Sequence, residues 1–205
     1  MPEQTPYDLD YSLLKSYKSL SCVHGYFQTE LYFIAYRDVI LQDFRIKEQL
    51  SQNSIQYADV IMNVNSVSLH VRRGDYITNI KTNQTHGTCR PEYYKNAIKY
   101  ILSEIKVPHF FVFSDDLEWV KEQNWLKNLQ VTFVNGNTGL KSYEDMVLMA
   151  LCKHNIIANS SFSWWGAWLN DNVNKIVVAP RKWFINSKKN SQIKNLLPIE
   201  WIKLE

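Results

Sequence analysis

Three short stretches of the chain hold residue types that bind phosphate and recognise a base. In His70-Val71-Arg72-Arg73-Gly74-Asp75-Tyr76, two adjacent arginines leave an apolar run. Alternation along a strand would send His70 and Arg72 to one side and Arg73 to the other. Guanidinium groups at an otherwise apolar strand end are costly unless an anion meets them. Arg suits bidentate phosphate binding because its planar fork stays charged. The alternative is a local ion pair, with Asp75 neutralising Arg73 across a turn through Gly74.

The second stretch, Phe113-Ser114-Asp115-Asp116-Leu117-Glu118, carries paired carboxylates. Asp115 is placed to cap a following helix, with Glu118 completing a capping box. Equally, one of Asp115 and Asp116 can accept the N1–H and N2–H₂ edge of guanine. Divalent-metal binding needs spaced carboxylates with a phosphate partner, and no metal is expected here. Asp8-Leu9-Asp10 has such spacing but stands isolated near the N-terminus. The third stretch is Asn159-Ser160-Ser161-Phe162-Ser163-Trp164-Trp165-Gly166. Small hydroxyl residues opening a helix expose backbone N–H groups at its positive end, a phosphate site. The bland alternative makes Ser160 or Ser161 only an N-cap. Trp164, Trp165 and Trp168 read as core, and Phe162 is free to stack on a base or sugar.

These stretches fall where the chain's patterning would put strand ends. From about residue 66, β-branched runs alternate with helical stretches. Strands are expected at 67–71, 110–113, 131–134, 156–158 and 176–179. Helices are expected at 91–105, from about 117, at 143–154 and at 163–169. Such alternation predicts a parallel sheet with helices on both faces, because parallel neighbours need crossovers. Ligands of open sheets bind beyond the carboxyl ends of the strands, where all three stretches lie. Before residue 66, the span 26–62 is aromatic, lacks Pro, and places Phe33, Tyr36, Ile40 and Phe44 at helical spacing.

The whole chain has 205 residues, 45% of them hydrophobic and 21% charged, with only 6 Gly and 6 Pro, which excludes disordered and low-complexity classes. A net charge of +3, with acidic residues interspersed among the basic ones, argues against a nucleic-acid stripe despite 28 aromatic residues (7 Trp, 12 Tyr and 9 Phe). Cys22, Cys89 and Cys152 are too far apart for ligand spacing, and their odd number fits a reducing compartment. The acidic N-terminus lacks the features of a secretory signal, and no run of 18 apolar residues occurs. The glycosylation patterns at Asn83 and Asn159 are therefore read as chance.

The residues of the three stretches resemble a known family. His70-Val71-Arg72-Arg73-Gly74-Asp75-Tyr76 is similar to the H-x-R-R-x-D motif shared by α-1,2-, α-1,6- and protein O-fucosyltransferases. Phe113 to Asp116 and Asn159 to Trp168 resemble further motifs of the α-1,2-fucosyltransferases, glycosyltransferase family 11. His86-Gly87-Thr88-Cys89 and Asp145 to His154 match bacterial members. The likeness covers roughly residues 24–184.

The resemblance implies a GT-B-like, inverting, metal-independent enzyme that takes GDP-fucose, with no cofactor, and a glycan acceptor with a galactose-type hydroxyl. Arg72 would bind the β-phosphate with His70 beside it, and Arg73 would join the donor site. One of Asp115 and Asp116 would hold guanine, while Ser160, Ser161 and Phe162 would contact the diphosphate and nucleotide. Asp75 would hold the arginine loop in place rather than act as base. The Gly-rich G-G-L-G-N-Q-type loop that opens family members is absent from this sequence. Residues 1–65 are therefore expected to be a helical remnant of the acceptor-side domain, and 66–205 a Rossmann-like GDP-fucose-binding domain. A GDP-sugar-binding module without catalysis is the competing reading. The expected location is the bacterial cytoplasm, with peripheral contact at the inner membrane. The aromatic helices of 26–62 are expected to drive self-association.

Overall fold

In the sequence, Phe110–Phe113 is apolar at every position and Val67–Val71 at three of five, the others being Ser68 and His70, and all of these residues are buried, as in a strand covered on both faces. The computed structural model, which describes residues 27–205, places them at the centre of a six-stranded parallel sheet. Its strands are β1 (Asn65–Val71), β2 (Pro108–Ser114), β3 (Gln130–Phe133), β4 (His154–Ile156), β5 (Val177–Pro180) and β6 (Ile202–Leu204). Their spatial order is β3-β2-β1-β4-β5-β6, and every pairing is parallel. The α/β, Rossmann-like parallel sheet read from the sequence is present. The order reverses between β1 and β4, the position where open sheets of this kind part their loops and take ligands.

The helices, in chain order, are α1 (Arg37–Asp43), α2 (Gln52–Asn63), α3 (Gly74–Thr78), α4 (Ile80–His86) and α5 (Pro91–Glu104), then α6 (Leu117–Lys121), α7 (Tyr143–Leu151), α8 (Ser161–Leu169) and α9 (Ser187–Ser191). Alternation along β2 divides the core. Phe110 and Val112 pack with Tyr94, Ile98 and Ile101 of α5 on one face. Phe111 and Phe113 pack with Ala58 and Ile61 of α2 and Leu148 and Met149 of α7 on the other. Burying each such ring is worth about 1.5–3 kcal/mol relative to exposure. Trp164 and Trp168 are buried with rings nearly parallel and centroids 6.2 Å apart, as expected of core residues at i and i+4.

Several boundaries differ from the sequence reading. The helix expected over 143–154 stops at Leu151, because Cys152 turns extended (φ −63°, ψ 149°) and His154 already opens β4. Helix α8 begins two residues earlier than expected, at Ser161. The sixth strand was not anticipated, since three residues give no readable alternation. Helices α3, α4 and α9 were also missed. Their five to seven residues show no apolar stripe, although Asn79 caps α4 by accepting from the N–H groups of Lys81 and Thr82.

The chain divides into two compact units. The sheet unit comprises 47–185 and 201–205, so α2 belongs with the sheet. In the other unit the described residues are 27–46 and 186–200. There the aromatic span, expected to be helical, forms two 3₁₀ turns (Glu30–Tyr32 and Ile34–Tyr36) and the short α1, and none of their residues is buried. Asp8, Asp10, Cys22 and the N-terminal leader reading lie outside the described residues. No helix among the described residues is long and apolar enough to cross a membrane.

Candidate functional site

Parallel pairing sets Val71 opposite Ser114, so the residues that follow, Arg72-Arg73 and Asp115-Asp116, leave the sheet side by side. Arg72 places Nη2 2.7 Å from Asp75 Oδ1 and Nη1 3.2 Å from Asp115 Oδ2. The Arg73 backbone N–H donates to Asp115 Oδ1 at 2.8 Å, and its Nε donates to Asp116 Oδ2 at 3.0 Å. The Arg73 guanidinium also lies 3.7 Å from the centroid of the Trp119 ring. Glycine is required at 74 for space: a Cβ there would sit 2.7 Å from Asp115 Oδ2.

Two local pairings differ from the sequence expectation. Asp75 neutralises Arg72 rather than Arg73, because the first turn of α3 folds it back three residues. The helix cap is Asp116 rather than Asp115, accepting from the Trp119 N–H at 3.3 Å. Asp115 faces the arginines instead. Arg73 is thereby enclosed by a carboxylate and an indole ring, while Arg72 bridges the half-exposed Asp75 to Asp115.

His70 is 4% exposed at the end of β1. Burial depresses its pKa to about 4, with Asp115 opposing and Arg72 reinforcing the shift, so the ring is neutral at neutral pH. Its Nδ1 has no hydrogen-bond partner, and its ring centroid lies 6.0 Å from that of Phe162. His70 thus stands between the arginine cluster and the loop after β4.

That loop is held by Asn159, 2% exposed. Its Nδ2 donates to the carbonyls of His86, Gly87 and Trp183, each at 3.1 Å, and its Oδ1 accepts from Cys89 Sγ. Its own carbonyl accepts from Tyr76 Oη at 3.0 Å. Asn159 is too buried to be a glycosylation acceptor. The next residue, Ser160, precedes α8 without making a side-chain cap bond, so its hydroxyl does not occupy the first-turn N–H groups of α8. Ser163 turns its hydroxyl inward to the carbonyls of Ala158 and Ser160.

The residues singled out in the three stretches, His70, Arg72, Arg73, Asp75, Asp115, Asp116, Ser160, Ser161 and Phe162, therefore lie at or just beyond the carboxyl ends of β1, β2 and β4. Missed were the organising contacts of Asn159, Tyr76 and Trp119. Nothing in the sequence signals them beyond the presence of polar or aromatic types at the right distance from a strand end. Chemically, these strand ends offer two partly accessible guanidinium groups, of which Arg72 is the more exposed, a helix N-terminus without a side-chain cap and a neutral buried imidazole. Together these suit a phosphate ester that gains negative charge as a bond breaks.

The family model of glycosyl transferase family 11 matches residues 11–205. The chain belongs to that family. Among curated relatives, the O-antigen biosynthesis glycosyltransferase WbnK of Escherichia coli is 41% identical over 208 aligned positions, covering all of this chain and 67% of WbnK. An alpha-1,2-colitosyltransferase of Escherichia coli is 39% identical over 184 positions, 88% of this chain and 61% of that protein. The human galactoside alpha-(1,2)-fucosyltransferase 1 is 29% identical over 103 positions, half of this chain and 28% of that enzyme. The chain thus spans about two thirds of the length of its bacterial relatives.

Proposed function

We propose that the chain binds GDP-fucose across the β1/β4 reversal and serves transfer of L-fucose to a galactose-type hydroxyl, forming an α-1,2 linkage with inversion. The observation that carries this is the placement of Arg72, just after β1, and of the N-terminus of α8, after β4, on the two sides of the strand-order reversal, in a chain of this family. An acceptor hydroxyl displaces GDP at fucose C1, and negative charge grows on the β-phosphate. Arg72 and the N–H groups that open at Ser161 meet that charge, and one of Asp115 and Asp116 takes the guanine edge. Phe162 and neutral His70 pack against the nucleotide. Asp75 holds Arg72 until phosphate replaces it, a positioning role. Arg73, fixed between Asp116 and Trp119, keeps the loop in register.

Metal independence belongs to this reading. Asp75, Asp115 and Asp116 are each paired with an arginine. Among the described residues, no group of three or more His, Cys, Asp or Glu is arranged to hold an ion. A second reading, GDP-sugar binding without transfer, is favoured by one observation: the described residues contain one nucleotide-type sheet, hence one wall of a two-domain cleft.

Calorimetric titration with GDP-fucose, GDP-colitose, GDP-mannose and UDP-galactose, paired with a transfer assay on galactose-terminated acceptors, tests both. Binding confined to GDP-sugars with measurable transfer supports the first reading, and binding without transfer supports the second. Preference for UDP-galactose contradicts both.

A further inference from the structure

Beyond the arginine crevice, the sheet unit holds a cavity of about 640 Å³ near the carboxyl ends of β5 and β6. Its walls include the loop from His86 to Cys89, together with Asn159, Phe184 and Leu204. The volume falls in the range of roughly 300–1,000 Å³ typical of small-molecule sites.

The chemistry of the walls narrows the ligand. Arg90 and Lys182 are matched by Glu92 and Glu205, with Lys182 Nζ 3.5 Å from Glu205 Oε2. These four charges cancel, so the lining does not favour an anion over a neutral molecule. The lining combines an aromatic and two aliphatic residues, Phe184, Ile185 and Leu204, with Thr88 and the carboxylate-bearing Glu92 and Glu205. A sugar ring has the matching character, with an apolar C–H face and a rim of hydroxyl groups.

Position narrows it further. The Arg72 guanidinium carbon lies 5.6 Å from the Tyr76 ring centroid. Tyr76 stacks on His86 at 5.1 Å, and His86 meets Phe184 at 5.1 Å. A continuous series of rings therefore leads from the crevice to the cavity. Asn159 lines the cavity, while its neighbours Ser160 and Ser161 open α8. The two sites share a wall.

We propose that this cavity is a hexose subsite that holds one neutral sugar ring of the substrate beside the diphosphate. The inference rests on the GDP-sugar reading above. The ring belongs either to the donor sugar or to a terminal galactose of the acceptor, and the same walls serve both.

The test uses the full chain, wild type and two variants: Thr88→Trp, which fills the cavity, and Glu92→Ala/Lys182→Ala, which strips its rim without touching the core. GDP and GDP-fucose are titrated by calorimetry, and methyl β-galactoside is followed by saturation-transfer NMR. GDP affinity stays within about twofold in both variants. If the cavity takes the donor sugar, GDP-fucose binds more tightly than GDP to wild type, and that margin falls at least tenfold in the variants. If it takes the acceptor ring, the galactoside signal is present in wild type and lost in the variants, while the GDP-fucose margin persists. Either result upholds the subsite and names its source. Should Thr88→Trp fail to fold, the surface double variant gives the same readout. The proposal is overturned if wild type shows neither sugar-dependent signal, or if both variants retain it. Failure of GDP to bind would instead remove the GDP-sugar reading, and the galactoside arm would still decide the cavity.

Discussion

The two sides of the crevice are built on different physics. After β1 and β2, the site is made of side-chain charge: two arginines and three aspartates in mutual contact, with Asp75 48% exposed and able to leave Arg72. After β4, it is made of backbone: the N–H groups of α8 are aimed by a loop that Asn159 fastens to three carbonyls. The charged side must exchange partners when a ligand arrives. The backbone side is preformed and needs no rearrangement, so perturbing it should show first in stability, whereas perturbing the charged side should show first in binding and transfer.

That contrast is sharpened most by Arg72→Lys. Lysine keeps the charge but loses the fork that bridges Asp75 and Asp115, and removal of a preorganised donor typically costs about 2.7–4 kcal/mol of transition-state stabilisation. Fucose transfer is expected to fall 10²–10³-fold with the melting temperature nearly unchanged. Near-normal turnover would remove Arg72 as the leaving-group clamp.

His70, at the junction of the two sides, should show a pH signature of similar size. It titrates near 6.5 when unfolded and near 4 when folded, so between those values the unfolded chain binds the extra proton. Stability therefore falls by roughly 3 kcal/mol as pH drops from 6.5 to 4. The readout is the difference between wild type and His70→Gln in denaturant unfolding, because Asp145, raised to about 6 by burial, titrates in the same window with the opposite sign. Identical profiles for the two chains would show that His70 is not buried neutral.

Asn159→Ala attacks the backbone side. One buried and two partly buried carbonyls lose their donor, at a cost of about 1–3 kcal/mol, and the melting temperature should drop by about 4–8 °C for a loss near 2 kcal/mol. The smallest effect is expected for Ser160→Ala. With no cap bond to lose, its stability should change by less than about 0.5 kcal/mol, whereas N-cap replacements ordinarily cost about 1 kcal/mol. A large loss there would mean that the serine hydroxyl, not the peptide N–H groups, does the work of the α8 terminus.

The same contrast separates what was legible in the sequence from what was not. Arg72, Arg73, Asp115 and Asp116 could be picked out because charged residues after apolar runs are conspicuous and strand alternation fixes where they emerge. Their pairing could not: whether Asp75 meets Arg72 or Arg73 depends on α3, a five-residue helix with no apolar stripe. Asn159 could be placed at a strand end, but its three carbonyl partners lie 72 to 73 residues before it and 24 after, beyond any local pattern. The strand β2 was readable because both faces are buried, giving the unbroken apolar run Phe110–Phe113, and β1 because its Val67, Leu69 and Val71 are β-branched or aliphatic. The edge strand β6 has three half-buried residues and left no such mark.

The most direct test of the crevice as a nucleoside-diphosphate site is calorimetric titration of the chain with GDP and with ADP in the presence of EDTA. A carboxylate from Asp115 or Asp116 that accepts guanine N1–H and N2–H₂ finds an acceptor in place of a donor at N1 of adenine, so those charge-assisted hydrogen bonds are lost. GDP is predicted to bind at least about ten times more tightly than ADP, a difference of about 1.4 kcal/mol or more, with no metal present. Equal affinities, or binding that appears only when Mg²⁺ or Mn²⁺ is restored, would contradict the assignment of this site.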